Sequence, residues 1–177
     1  PGTPTRAGYT FNGWFVASTG GSALTFAYAH GRTADFTLYA QWTLINTYTV
    51  TYNANTASSG TVPTDSNTYA TAASVTVLTN SGTLAKTGYT FAGWCTTQPS
   101  AGASCTGTPQ AVSSTFTMGS ANVTLYAVWT ANTLNVTFDT QGGSSISPTT
   151  TTTGASLSTP GTPTRAGYTF NGWFVAS

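Results

Sequence analysis

Three stretches of the chain set polar and apolar residues in the same order. In Gly8 to Trp14 the rings of Tyr9 and Phe11 lie two residues apart, so an extended strand points both to one face and Thr10 to the other. Asn12-Gly13 then breaks the alternation, and one extra residue there returns Trp14 to the face of Tyr9 and Phe11. The same phrase, Gly-Tyr-Thr-Phe-x-Gly-Trp, recurs with Tyr89, Phe91 and Trp94, and again with Tyr168, Phe170 and Trp173. The pattern predicts an aromatic core strand with a glycine bulge, three times over. A ligand platform is the alternative, and the recurrence of one polarity pattern in every copy argues for core.

A second predicted strand follows each of the first two phrases. It reads Leu38-Tyr39-Ala40-Gln41-Trp42 in one case and Leu125-Tyr126-Ala127-Val128-Trp129 in the other, and the first of these is expected to run from about Phe36 to Thr43. An alternating strand comes next, with Tyr48, Val50 and Tyr52 on one face, or Leu134, Val136 and Phe138. The unit is therefore strand, long connection, central strand, loop, final strand. Within the connection, Thr56 to Thr68 is a polar loop, and Ala73 to Leu78 is either a strand or a short helical turn.

The period divides the chain. The motif glycines Gly8, Gly88 and Gly167 are 80 and 79 residues apart, the mark of tandem small domains. Residues 160–177 are identical to residues 1–18, an offset of 159 that spans two unlike units. Residues 1–42 are then the C-terminal part of a unit, 43–129 a complete unit, and 130–177 the N-terminal part of the next. The simplest expectation is one period plus an overlap, taken from a longer array. The split unit also allows one chain to complete another. Residues 43 to 47 are too short a link for a flexible spacer, which predicts a rod and not beads on a string.

The phrase Gly-Tyr-Thr-Phe-x-Gly-Trp, the Leu-Tyr-Ala-x-Trp strand and the Val-Thr-Phe-Asp-Thr-Gln-Gly-Gly run from Val136 together resemble the Listeria-Bacteroides repeat, or internalin-type B repeat. The resemblance covers essentially the whole chain. It implies a mainly β fold of tandem small β-grasp-like modules with little helix, carried by bacterial cell-surface and secreted proteins as stalk or accessory segments, without enzymatic activity. The unit at 43–129 departs from the pattern, with Asn53-Ala54-Asn55-Thr56 where Asp or Asn followed by Gly-Gly is expected. Cys95 and Cys105, the only cysteines, lie in the loop leaving the second central strand. The exported class that the resemblance implies favours a disulfide between them.

Composition narrows the partners. Only 4% of the residues are charged, there is no Glu, and 41 are threonine, so hydroxyls stand where a soluble protein ordinarily carries charge. A net charge of +1 leaves little repulsion between copies, which favours self-association of neighbouring copies or repeats. Four basic residues cannot neutralise many phosphates, which disfavours nucleic acid. No apolar run reaches the ~20 residues of a membrane-spanning helix.

Candidate chemistry is sparse. His30 aligns with Met118, Asp35 with Asn122, and Asp139 with Asn53. Positions that exchange carboxylate for amide are turn or cap groups and not proton carriers. No catalytic, cofactor or metal site is expected, because two cysteines without nearby ligands do not make a metal centre. Arg6, Lys86 and Arg165 share one position, two residues before the motif glycine, and are expected to bond carbonyls of a neighbouring loop. The predicted core is Tyr9, Phe11, Trp14, Trp42, Tyr89, Phe91, Trp94, Trp129, Tyr168, Phe170 and Trp173. The function expected is a non-catalytic structural segment of an extracellular or cell-surface fibre, stalk or sheath. The alternative is an adhesin segment binding a host protein or glycan through aromatics such as Tyr28, Tyr69 or Phe174.

Overall fold

A computed structural model of the chain describes residues 1–175, and every regular element in it is a β-strand. Strands β1 (Tyr9–Phe15) and β2 (Tyr39–Leu44) pair antiparallel. Tyr9 faces Leu44 and Phe11 faces Trp42, but the next pair is Gly13 with Gln41, which leaves Asn12 as the extra residue. Gly13 takes φ 124°, a conformation that side chains rarely adopt. The bulge turns Trp14 back toward Phe11, with ring centroids 5.8 Å apart, and Phe11 meets Trp42 at 5.3 Å.

The same device recurs in the largest sheet. There β4 (Val50–Asn53), β10 (Val123–Ala131), β7 (Tyr89–Cys95) and β8 (Pro109–Gln110) lie in the order β4-β10-β7-β8. Phe91 faces Trp129, Gly93 faces Val128, and Ala92 is the bulged residue. Three small ladders complete the fold: β3 (Thr47–Tyr48) with β5 (Tyr69–Ala70), β6 (Ser74–Thr76) with β9 (Thr115–Thr117), and β11 (Thr133–Val136) with β12 (Thr149–Thr152). The two readings left open for Ala73 to Leu78 resolve as strand. The neighbouring Tyr69-Ala70 is committed to the β3 ladder, and Val75 and Val77 are both fully buried. Four of the five threonines from Thr149 form β12, and all but Thr151 of these are exposed. The final strand of the first copy begins at Tyr39 and not near Phe36, because Phe15, the last residue of β1, pairs with Tyr39. Ala23 to Tyr28 joins no ladder.

By contacts the chain forms two units. One holds Pro1–Val50, Ser66–Val75 and Phe116–Val123, and the other holds Thr51–Asp65, Thr76–Thr115 and the chain from Thr124 onward. In the first, Phe15, Val50, Val75 and Met118 are buried. In the second, the core is Tyr52, Val77, Leu84, Trp94, Cys95, Leu125, Ala127 and Trp129. Each contains one passage from a final strand into the next first strand. The Ile45 N–H donates to the Gly8 carbonyl at 2.8 Å just before β3 begins. Between β10 and β11 a single residue, Asn132, donates to the Gly88 carbonyl at 2.9 Å and accepts from the Thr153 N–H at 2.9 Å. The two passages are two residues and one residue long.

The bulge glycine gives a direct test. Gly93 holds φ 125°, and a Cβ there would meet the Gln110 carbonyl at 3.2 Å. Gly93→Ala is expected to cost about 1–3 kcal/mol in denaturant unfolding. Ala92→Gly, at the neighbouring bulged position, should cost less.

Candidate functional site

The feature that recurs is an aromatic clamp closed by a polar turn. In the central copy Phe91 lies edge-on to Trp94 at 5.1 Å and to Trp129 at 5.7 Å, and Tyr52 meets Trp94 at 4.7 Å. Trp94 and Trp129 are each 1% exposed. Two buried indoles each need an acceptor for the N–H. Trp94 donates to the Leu78 carbonyl at 3.0 Å, and Trp129 to the Asn55 carbonyl at 2.9 Å. The same indole bond appears in the other copies, from Trp14 to the Gly2 carbonyl and from Trp173 to the Gly161 carbonyl.

The turn that receives Trp129 is held by Asn53, a turn group by its alignment with Asp139, and by Asn55, whose importance the sequence did not disclose. Asn53 Oδ1 accepts from the N–H of Asn55, two residues on, at 2.8 Å. Asn55 is buried and uses its amide twice, donating to the carbonyls of Pro99 and Ala127 at 2.8 Å each, while its Oδ1 accepts from Gln98. The only sequence signal for Asn55 was the departure from Gly-Gly at that turn. Asn tolerates the positive φ of 44° that the turn needs, and it adds bonds that glycine lacks. In the third copy Asp139 Oδ1 bonds the N–H of Gln141 in the same way, at 2.9 Å. The carboxylate and amide thus do one structural task, as their alignment predicts. Asn122 Oδ1 instead makes a long-range bond, accepting from the Thr49 N–H at 3.0 Å.

The shared basic position does more than expected. Lys86 Nζ donates to the Thr56 carbonyl at 2.7 Å, the anticipated loop bond. Arg6 and Arg165 instead lie over the motif tyrosines, with the guanidinium carbon 3.8 Å and 4.0 Å from the ring centres of Tyr9 and Tyr168. Lys86 also stands over Tyr89, at 5.5 Å. In all three copies the tyrosine N–H donates to the carbonyl of this basic residue, so one turn sets both the cation and the ring.

Cys95 and Cys105 are joined in a disulfide, with Cα atoms 5.7 Å apart and Cys95 fully buried at the end of β7. The counterpart residues in the other copies are Phe15, which is buried, and Phe174, which is 84% exposed. Among the described residues no three His, Cys, Asp or Glu side chains gather as a metal site would require. No buried side-chain nitrogen or oxygen among them lacks a hydrogen bond. His30 is exposed beside Phe36, with its Nδ1 accepting from the Arg32 N–H. Burial pushes the Tyr52 hydroxyl above the usual tyrosine range, the Leu78 N–H that it accepts pulls back, and Asp65 adds to the rise.

The third copy presents the clamp open. Phe138 meets Trp173 at 5.1 Å, as Tyr52 meets Trp94, and Phe170 meets Trp173 at 5.4 Å. Yet Tyr168, Phe170 and Phe174 are exposed, and among the described residues no strand pairs with this stretch. A cleft of about 600 Å3 lies there, lined by Asp139, Gln141, Arg165, Phe170, Trp173 and Phe174 among others. Of the predicted core residues, Trp94 and Trp129 are thus buried, Tyr9, Phe11, Trp14, Trp42, Tyr89, Phe91 and Trp173 are half-buried, and Tyr168 and Phe170 are exposed.

A family profile described as the Listeria-Bacteroides repeat domain matches residues 1–41, 48–128 and 135–177. Over 98% of its length the chain is 35% identical to a protein of Evansella cellulosilytica provisionally named a Gly-rich membrane protein. Over 75% it is 38% identical to Internalin H of Listeria monocytogenes. The chain spans about a fifth of the length of these relatives, 20% of one and 21% of the other. No solved structure matches it. Among the described residues no helix is long and apolar enough to cross a membrane.

Three outcomes test the clamp. Trp129→Ala is expected to lose about 3–5 kcal/mol of stability, measured by denaturant unfolding, because it opens a cavity and leaves the buried turn without its donor. Replacing both cysteines by serine should remove about 2.5–3 kcal/mol, from the entropy of the small loop that the disulfide closes. Tyr52 keeps its proton longer folded than unfolded, so its contribution is complete below the unfolded pKa and declines as pH rises past about 10. An ultraviolet titration of tyrosinate against unfolding should show that decline in the native chain, and Tyr52→Phe should remove this tyrosine's share of it.

Proposed function

We infer the function from family membership: this chain belongs to the Listeria-Bacteroides repeat domain family, and we propose that it is a non-catalytic structural segment of a bacterial extracellular or cell-surface stalk, fibre or sheath. The observation that carries this reading is the pair of passages between copies. At each, the strand leaving one copy is bonded back to the motif glycine and enters the next ladder after one or two residues. A chain built this way passes tension through ladders and core, since there is no slack link to absorb it. The side chains that recur from copy to copy close turns and bury rings, and those are the needs of a repeat whose task is mechanical. A surface with 4% charged residues offers little repulsion to lateral packing of copies.

Adhesion is the second reading, favoured by the aromatic cleft at Phe170, Trp173 and Phe174, whose rings suit a sugar face or an apolar protein side chain. It locates recognition in one copy and requires saturable binding there.

Electron microscopy of the native material tests the structural reading. The expected result is a fibre with an axial repeat of roughly 60–90 Å, the span of two small domains. Flexible strands ending in a different compact head would overturn it and make this segment a spacer. Saturable glycan binding by the 177-residue chain, lost on Trp173→Ala, would establish the adhesin reading in its place.

A further inference from the structure

We propose that the loop closed by the Cys95–Cys105 disulfide is a redox-set lock on the joint between the central copy and the copy that follows, acting through the ring of Tyr89. With the disulfide formed, the loop holds that ring against the turn after β12; with the disulfide reduced, the joint loosens. The proposal deepens the structural reading above, and its mechanical purpose rests on that reading.

The loop leaves β7 at Cys95, and its tip returns to the level of Tyr89, at the other end of that strand. At the tip the Ala103 N–H donates to the Ser100 carbonyl at 3.0 Å, and Gly102 takes φ 80°, the glycine conformation of a type II turn. The Gly102 N–H donates to the Trp129 carbonyl at 3.0 Å, and a Cβ placed on Gly102 would lie 3.6 Å from Cε1 of Tyr89. On the way, buried Pro99 accepts from the Asn55 amide, and Gln98 donates to Oδ1 of the same residue. The loop thus holds both the turn that receives Trp129 and the strand that leads out of the copy.

A second turn meets Tyr89 from the following copy. The Ala155 N–H donates to the Thr152 carbonyl at 3.0 Å with Gly154 at φ 80°, and a Cβ on Gly154 would lie 3.3 Å from the Tyr89 hydroxyl. Thr153, bonded through its N–H to the Asn132 carbonyl, is pressed on Gly88, where a Cβ would come within 2.6 Å of its Cγ2. The half-buried ring of Tyr89 therefore stands between two glycine turns, one closed by the disulfide and one belonging to the next copy. All of these residues fall in one compact unit. In the first copy the loop after β1 is tethered by Gln41 instead, whose Nε2 donates to the Ala17 and Gly20 carbonyls at 3.2 Å and 2.8 Å. Val128 occupies that position in the central copy, and a covalent bond replaces the hydrogen bonds. Closing it removes two electrons and two protons from the thiols and passes them to a disulfide oxidant, which leaves as two thiols. A dithiol reverses the step. Its thiolate attacks Sγ of half-buried Cys105, fully buried Cys95 leaves and takes a proton, and the second thiol frees Cys105.

Hydrogen exchange of the 177-residue chain, followed by NMR, tests the lock. The Thr153 N–H reports the joint, and the Val77 N–H, bonded to the Ser114 carbonyl, reports the core of the central copy. Replacing both cysteines by serine should raise the ratio of the Thr153 rate to the Val77 rate about tenfold, whereas a purely global loss of stability moves both rates together. Reduction of the native chain by a dithiol should do the same. Gly102→Pro covers the case in which the serine variant does not fold. It keeps the disulfide but removes the N–H and the positive φ at the tip, and should raise the ratio as much. In a Tyr89→Ala chain the ratio should start high and respond less than about twofold to loss of the disulfide. A ratio unchanged in both the double-serine and Gly102→Pro chains would overturn the lock. So would a full response in the Tyr89→Ala chain, because the ring would then not be the link. Either result, in native material that forms fibres, leaves the structural reading intact. The expected ratios, in material that proves to be flexible strands ending in a compact head, keep the lock and overturn the structural reading.

Discussion

One extra residue in the central strand governs the fold. A strand with strict alternation would send Trp94 to the side opposite Phe91; the bulge at Ala92 and Gly93 returns it to the same side. Only then can Phe91 stand between two indoles, and only then does the Trp94 N–H reach the Leu78 carbonyl. Each buried Trp removes on the order of 150–250 Å2 from water, worth about 4–6 kcal/mol before entropy. A small module has few other sources of that size. The bulge therefore decides whether the largest apolar groups contribute to the core.

The polar groups are arranged around that requirement. Burying an indole obliges the chain to present a carbonyl, and the carbonyl must be fixed. Asn53 and Asn55 fix it on one side, and the ladder of β10 and β7 fixes it on the other. Because these bonds lie inside the core they are strengthened by low polarity and are costly to lose. This accounts for the position of the few ionisable groups. Arg6, Arg165 and Lys86 lie over motif tyrosines, and Asp139 closes a turn, so most of the scarce charge in the chain serves the module itself. The threonine surface follows from the same economy, since strand faces without charge still need groups that bond water and suit an extended backbone.

Continuity between copies has the same origin. The final strand that covers the clamp is also the strand that leads into the next copy, so cover and connection cannot be separated. Asn132 shows the coupling in one residue: its N–H holds the outgoing strand to Gly88 and its carbonyl holds Thr153 of the following ladder. Phe11 and Phe91, each faced by the tryptophan of a final strand, are half-buried, whereas Phe170 is exposed.

Much of this was legible in the residues themselves. Two-residue alternation, the glycine at a fixed offset and the recurrence of the phrase identify the strands, the bulge, the shared faces and the family, because they depend on backbone geometry within a few positions. The exchange of Asp139 for Asn53 at one aligned position likewise marked a turn group. Other features required the folded chain. Which carbonyl receives each indole depends on residues distant in sequence, such as Trp129 and Asn55, and a polar residue that closes a core looks in sequence like any loop asparagine. The stacking of Arg6 and Arg165 on Tyr9 and Tyr168 arises from a turn geometry that composition does not encode. Burial itself was decided at the tertiary level. Phe11, Phe91 and Phe170 occupy one position in one phrase, yet the first two are covered and the third is exposed, because cover comes from a strand elsewhere in the chain. Local sequence determines which face of a strand is apolar; only the partner strand determines whether that face is dry.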